Sequence, residues 1–396
     1  MNNLRLGLWK GKQRIKVQAV INLEEIPDGA FSLYLGSGYT IQSMTDGFGQ
    51  LVEYVQEEQV TGWAPYWADR NKYTINDISS TLNVLYTGIT EAQHTMLTDD
   101  ILSINGSGFW YPCGLPFQPQ SWNREVFIHV GKEYMVLNAC FNDDENAWYY
   151  QPQENELFIL ALKNFHSKTS RDGTIYYFIE KDDEKAEICV NSVEMQLSYF
   201  ERLHGYKTID HMPIVSLPVE FNAGAYNIDR TIILNRFVFD YDDDALIRYE
   251  KLIHMMGHEI AHNWCCGAAF NWEDWLNETT AEWSSLAFLI ENGYEDYVDE
   301  VIKTYCEVEK PEPIRTPSGK RPDQVHIKGT ILFYSIFQKY GLGAIKDLLK
   351  TFVTLGEKNT KTWIEALKKN HPRIVSEILA HLDAEMLNCI EWADDS

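Results

Sequence analysis

Apolar residues follow two different rhythms along the chain. In the first part they alternate: Ile15, Val17, Ala19 and Ile21 enclose Lys16 and Gln18, and Phe31, Leu33 and Leu35 enclose Ser32 and Tyr34. A period of two, rich in β-branched and aromatic residues, predicts strands with one buried face. Similar runs at residues 50–55, 82–86, 126–130 and 134–138 are separated by Gly, Asn and Asp, as at Pro27-Asp28-Gly29. The pattern predicts an all-β, sandwich- or saddle-like domain over residues 1–155.

From about residue 156 the rhythm changes. A loop ends near Gly173, a strand is expected at 174–179, and residues 186–203 carry a helical period that stops near Gly205. Strands follow at 214–218 and 231–239. Asp242-Asp243-Asp244 then supplies an N-cap and first-turn negative charge for a helix whose apolar positions recur from Ala245 to Met256. Beyond Trp272 the chain reads as mostly helical, so residues 156–396 form an α+β domain. The apolar run 330–337 is far short of the ~20 residues that span a bilayer and reads as a buried helix. Neither an internal repeat nor a low-complexity segment is present.

The helix at 245–256 runs into His258-Glu259-Ile260-Ala261-His262. Histidines four apart lie one turn apart on one helical face, where both imidazoles can reach a single ion at about 2.0–2.1 Å. Glu259 points into the same space and can take a proton from water activated by zinc. A third ligand is expected from a neighbouring helix, and Glu278, in Trp275-Leu276-Asn277-Glu278, follows His262 with fifteen residues between them. The alternative for Glu278 is a first-turn partner of the helix dipole. Glu282 falls one turn later, placed either to accept from the far nitrogen of a ligand histidine or to face solvent. His254 shares the face of His258 and reads as packed or supporting, since a fourth protein ligand would close the site to water.

Composition narrows the partners. Against 34 Lys and Arg stand 58 Asp and Glu, a formal charge of −24, which excludes nucleic acid and anionic membranes as partners. Seven cysteines at irregular spacing suggest reduced thiols. No continuous apolar segment occurs in residues 1–23, so the expectation is a soluble, cytoplasmic protein without membrane insertion. Cys265-Cys266 could ligate a metal, but adjacent cysteines rarely chelate one ion, and packing is the expected use. Trp63, Trp67, Trp110 and Trp122 suit packing or a sugar- or peptide-binding face.

His258-Glu259-Ile260-Ala261-His262-Asn263-Trp264 followed by Trp275-Leu276-Asn277-Glu278 resembles the aminopeptidase N family of gluzincin zinc metallopeptidases. The resemblance runs from about Tyr111 to Tyr340. It implies a thermolysin-like zinc metallopeptidase domain behind the β domain, one Zn2+ held by His258, His262 and Glu278, Glu259 as general base, and a peptide or protein substrate. Three departures stand out. The spacing from His262 to Glu278 is shorter by about three residues than the family's. The family's Gly-Ala-Met-Glu-Asn is here Gly224-Ala225-Tyr226-Asn227, without the glutamate that binds a free amino terminus; Glu220 or Asp229 could substitute, and Gly224, Ala225, Tyr226 and Asn227 remain the candidate substrate-binding residues. The family's Val-Tyr-Glu-Lys-Gly is Val325-His326-Ile327-Lys328-Gly329, which puts His326 where the oxyanion-stabilising tyrosine stands, or makes it a helix-start histidine without chemistry. The large C-terminal helical domain of many family members is also missing from the sequence, which predicts an open cleft. The leading expectation is zinc-dependent peptide-bond hydrolysis. Its rival is a non-catalytic binding or scaffold protein that keeps the gluzincin fold and a structural zinc.

Overall fold

Strand alternation in the first half builds three sheets. The computed structural model describes residues 3–24, 30–60, 68–76, 80–89, 95–113, 123–152, 157–171, 173–178, 183–209, 212–217, 225–228, 230–235, 245–307, 313–322 and 324–382. The largest sheet has seven strands in the order Ala139–Asn142, Ala147–Tyr150, Asn123–His129, Asn3–Lys10, Ile15–Asn22, Thr81–Gly88 and Tyr39–Asp46. Its register explains the period of two. Leu4, Ile21 and Leu82 form one cross-strand row, Leu6, Ala19 and Val84 the next, and Leu8, Val17 and Tyr86 a third. All nine side chains are buried, because odd and even positions of a strand face opposite sides. Leu33, Leu35, Tyr73 and Ile75 from a three-stranded sheet, and Leu102, Ile104, Ile159 and Ala161 from a four-stranded one, complete this core. Trp110 is fully buried and donates through Nε1 to the Leu157 carbonyl at 3.1 Å, so it packs; Trp63, Trp67 and Trp122 lie outside the described residues.

One strand boundary differs from expectation. The strand expected at 50–55 begins at Tyr54, because Asp46 Oδ1 accepts from the backbone N–H of Phe48 and Gln50 at 2.9 and 2.8 Å and holds those residues in a turn. The first unit extends to Phe165. The reason is Ile159–Leu162, which pairs antiparallel with Ile101–Ile104 and keeps the chain in the first unit.

The second unit, His166–Ser396, combines one sheet with seven helices among its described residues. The sheet order is His166–Thr169, Ile175–Phe178, Ile214–Leu217, Thr231–Asn235 and, at the edge, Ala225–Ile228. The three inner strands are parallel, and the edge strand is antiparallel to its neighbour. The helices are α1 (Asp183–His204), α2 (Ala245–Ala261), α3 (Trp275–Glu291), α4 (Glu295–Cys306), α5 (Val325–Val353), α6 (Thr360–Lys368) and α7 (Pro372–Leu382). α3 is buried from Trp275 to Leu289 and forms the centre of the core, its polar residues buried along with its apolar ones. α5 bends at Gly341, whose φ of 78° suits glycine. Asp242-Asp243-Asp244 lies outside the described residues. Among the described residues no helix is long and apolar enough to cross a membrane.

Two packing details carry predictions. A Cβ on Gly329 would lie 1.8 Å from Thr279 Oγ1 and 3.1 Å from the Trp275 ring, so α5 touches α3 through bare backbone. Gly329→Ala is expected to destabilise the protein by about 1–3 kcal/mol. Gly343→Ala, which meets nothing within 4 Å, is the control, and thermal unfolding reads the difference. His204 is buried between Phe200 and Trp264, and burial, with Lys358 nearby, pulls its imidazole down to about 3. A histidine held neutral below its unfolded value of about 6.5 contributes stability that is complete above that value and falls away from there down to pH 3. His204→Gln should therefore flatten the loss of unfolding free energy between pH 6 and 4 by up to about 1.4 kcal/mol per pH unit.

Candidate metal centre

α2 carries His258 and Glu259, with His262 in the turn that closes the helix. Leu252, Ile253, Met256 and Ile260 are buried in the core, which fixes the opposite, histidine-bearing face. Two buried side chains brace the backbone there: Gln196 Nε2 donates to the Ile253 carbonyl at 2.7 Å, and Ser285 Oγ to the His254 carbonyl at 2.8 Å. Glu278 stands in the first turn of α3. Its neighbour Asn277 accepts from Ala268 N–H at 3.0 Å and donates to the Ala268 carbonyl at 3.1 Å, tying the loop before α3 to the helix.

These elements bring three atoms together. His258 Nε2 and His262 Nε2 lie 3.1 Å apart, and Glu278 Oε2 is 3.4 Å from the first and 3.5 Å from the second. The far nitrogens determine what those atoms are. His258 Nδ1 donates to Glu282 Oε2 at 2.8 Å, and His262 Nδ1 to the Cys265 carbonyl at 3.2 Å. In the neutral imidazoles both Nε2 atoms are therefore bare lone pairs. Two lone pairs and a carboxylate oxygen then face one another, and Glu278 Oε2 is buried without a hydrogen-bond partner. Such a cluster of acceptors repels itself unless a cation lies among them. Ligands at about 2.0–2.1 Å around a tetrahedral zinc stand about 3.3–3.4 Å apart, so the residues fit that ion.

His326, at the start of α5, joins the group. Its Nδ1 lies 3.2 Å from Glu278 Oε2, and donor atoms of His258, Glu278 and His326 all fall within 4.8 Å of one another. Two overlapping donor sets thus share His258 and Glu278. The set with His262 is the more compact, and the His326 side chain is 44% exposed, free to meet a ligand.

The electrostatics agree with a site built for positive charge. Burial works against ionising Glu278, yet the imidazoles of His326, His258 and His262 hold its carboxyl well below the usual range. Burial likewise opposes a proton on His258, but Glu278 and Glu282 raise it well above the ordinary histidine value. Burial raises the Glu259 carboxyl, and the two histidines oppose that shift. Glu282 accepts from His258, from His254 Nε2 at 3.0 Å and from the Tyr305 hydroxyl at 2.9 Å. The Tyr297 hydroxyl lies 3.2 Å from His254 Nδ1, so two tyrosines of α4 support the carboxylate beneath His258. Cys265 is buried with its thiol pushed up to about 11, consistent with packing.

Of the candidate substrate residues, Gly224 lies outside the described residues, as do Glu220 and Asp229. Ala225, Tyr226 and Asn227 lie on the edge strand, and Asn227 Nδ2 donates to the Glu259 carbonyl at 2.7 Å, tying that strand to α2. Sequence reasoning missed Arg321, whose Nη2 donates to Glu278 Oε1 at 2.8 Å. No motif or helical period marks that residue.

Comparison with solved structures decides the architecture. An M1 zinc metallopeptidase from Deinococcus radiodurans superposes with a TM-score of 0.66 over 98% of this chain and 94% of its own, at 13% identity. The fold is that of the M1 zinc metallopeptidases. A two-domain M1 zinc metallopeptidase bound to L-arginine matches equally, with a TM-score of 0.66. The N-terminal β-sheet domain followed by an α+β domain is thus the M1 arrangement. Among curated proteins, Aminopeptidase N of Acetobacter pasteurianus is 30% identical over 107 residues, and Aminopeptidase 2, mitochondrial, of Saccharomyces cerevisiae is 29% identical over 136. These matches span 30% and 14% of those relatives' lengths and 26% and 32% of this chain. No family model matches the chain. The resemblance to aminopeptidase N-type enzymes carried by the motifs is thereby supported in sequence and in fold.

Proposed function

We propose that this M1-fold chain is a zinc-dependent peptidase that hydrolyses peptide bonds, with His258, His262 and Glu278 as zinc ligands and Glu259 as general base. The observation that carries the reading is the convergence of His258 Nε2, His262 Nε2 and Glu278 Oε2 within 3.1–3.5 Å, acceptors facing acceptors. A bound zinc supplies an electrophile that polarises a carbonyl and lowers the pKa of water to near 7. The protein supplies the rest. Glu259 takes the proton of the attacking water and returns it to the leaving amine, a task suited to a carboxyl raised by burial. Glu282 holds the His258 tautomer that leaves Nε2 bare. The edge strand Ala225–Ile228, fastened to α2 through Asn227, offers main-chain groups that can pair with an extended peptide. A relative of this fold from Deinococcus radiodurans has been solved bound to the substrate Tyr-Ser-Ala, which supports a peptide in that role here.

His326 takes the oxyanion position. A neutral imidazole can donate one hydrogen bond there, and the 44% exposed side chain can reach a bound substrate. His326→Phe should lower kcat by about 10²–10³ with KM little changed, and His326→Tyr should restore much of the loss. Steady-state kinetics on one peptide separate the two. The test of the proposal itself is a pair of peptides identical except for N-terminal acetylation. Cleavage of the free-amine peptide alone, abolished by chelation and restored by zinc, indicates an aminopeptidase; cleavage of both indicates an endopeptidase. A zinc-loaded protein that cleaves no peptide across a diverse library contradicts the proposal.

A further inference from the structure

Arg321 lies in the segment leading to α5 and reaches across to the start of α3. Its Nη2 donates to Glu278 Oε1 at 2.8 Å, and its Nε donates to Asp274 Oδ2 at 2.5 Å. The guanidinium carbon sits 4.8 Å from the centre of the Phe270 ring, and the side chain is 15% exposed. Asp274 is itself held, since its Oδ1 accepts from Asn277 Nδ2 at 2.7 Å. The fork is therefore fixed by two carboxylates and a ring face, and one arm ends on the Glu278 oxygen turned away from the histidines. The other oxygen, Oε2, faces His258 and His262.

This division of the carboxylate has a chemical consequence. A carboxylate with both oxygens available can chelate a metal through both, which adds a ligand and fills a coordination position. One whose second oxygen is engaged by a guanidinium presents a single oxygen, and charge drawn toward the arginine leaves the metal more electrophilic. We infer that Arg321 is a positioning residue that confines Glu278 to one-oxygen ligation and so keeps a coordination position open for substrate and water. The inference rests on the proposed zinc reading. A lysine could balance the two carboxylates but could not span them with a planar fork.

The test uses the full chain, stripped of metal and reloaded. Zinc affinity is measured by competition with a chelator, and the cobalt(II)-loaded protein is examined by its visible absorption, which reports coordination number. Arg321→Lys retains the buried cation, so the fold is maintained while the fork is lost; Arg321→Met removes both. The expected result for Arg321→Lys is a loss of visible cobalt absorption, as a second Glu278 oxygen enters and raises the coordination number, with zinc affinity not lowered. Arg321→Met should show at least the same loss of absorption. An Arg321→Lys protein with the parental cobalt spectrum overturns the assignment, whatever its affinity. A parent protein that binds neither zinc nor cobalt would instead sink the zinc reading, so the two failures are distinct.

Discussion

Glu259→Gln is expected to retain zinc and to lose turnover by about 10²–10⁴. The substitution is nearly isosteric and leaves the three converging donors untouched, because Glu259 is tied to the edge strand by its backbone carbonyl, which accepts from Asn227. What disappears is the carboxylate proposed to accept the proton of the attacking water. Metal analysis and single-turnover cleavage of one peptide, run on the same preparation, check the pair of outcomes. Retained zinc with retained cleavage would remove Glu259 from the mechanism. A parent protein already inactive, with zinc bound, would favour the scaffold reading, for which a general base has no use.

His262→Ala should lose both the metal and the activity. Deleting one of the three proposed ligands leaves His258 Nε2 and Glu278 Oε2, 3.4 Å apart, as a two-donor site. The loss of zinc affinity is expected to exceed the about 10–100-fold typical of changes beyond the ligands. Because zinc binds the folded state, the parent protein should melt higher with zinc than without, and His262→Ala should show little such shift. Differential scanning calorimetry at fixed zinc concentration measures this directly, and a full shift in the variant would place the metal elsewhere.

The parts legible in the sequence are those set by local periodicity. Helical spacing placed His258 and His262 together, and the next motif put Glu278 at the start of a buried helix with Glu282 one turn on. Period-two alternation found Ile15–Asn22, Thr81–Gly88 and Asn123–His129 as strands around one core but not Asn3–Lys10 between them, and their order in the sheet is set by long-range pairing. Contacts across long loops were not legible. Arg321 meets Glu278 over forty-three residues, and Tyr305 reaches Glu282 from α4; neither leaves a repeat, a cap or a motif in the chain. The extent of the first unit has the same origin, since Ile159–Leu162 belongs there through its partner Ile101–Ile104. The turn at residues 46–50 carries a glycine signal in Asp46-Gly47 and in Gly49, whose φ is 82°, but the late start of the next strand at Tyr54 has no such mark in the chain.

The most direct measurement is zinc per chain in the purified protein after exhaustive dialysis, taken together with the same value for His262→Ala. The account predicts about one zinc per chain in the parent and essentially none in the variant. A parent that holds no zinc even when refilled with it, or a variant that holds as much as the parent, would contradict the assignment of His258, His262 and Glu278 as the metal centre.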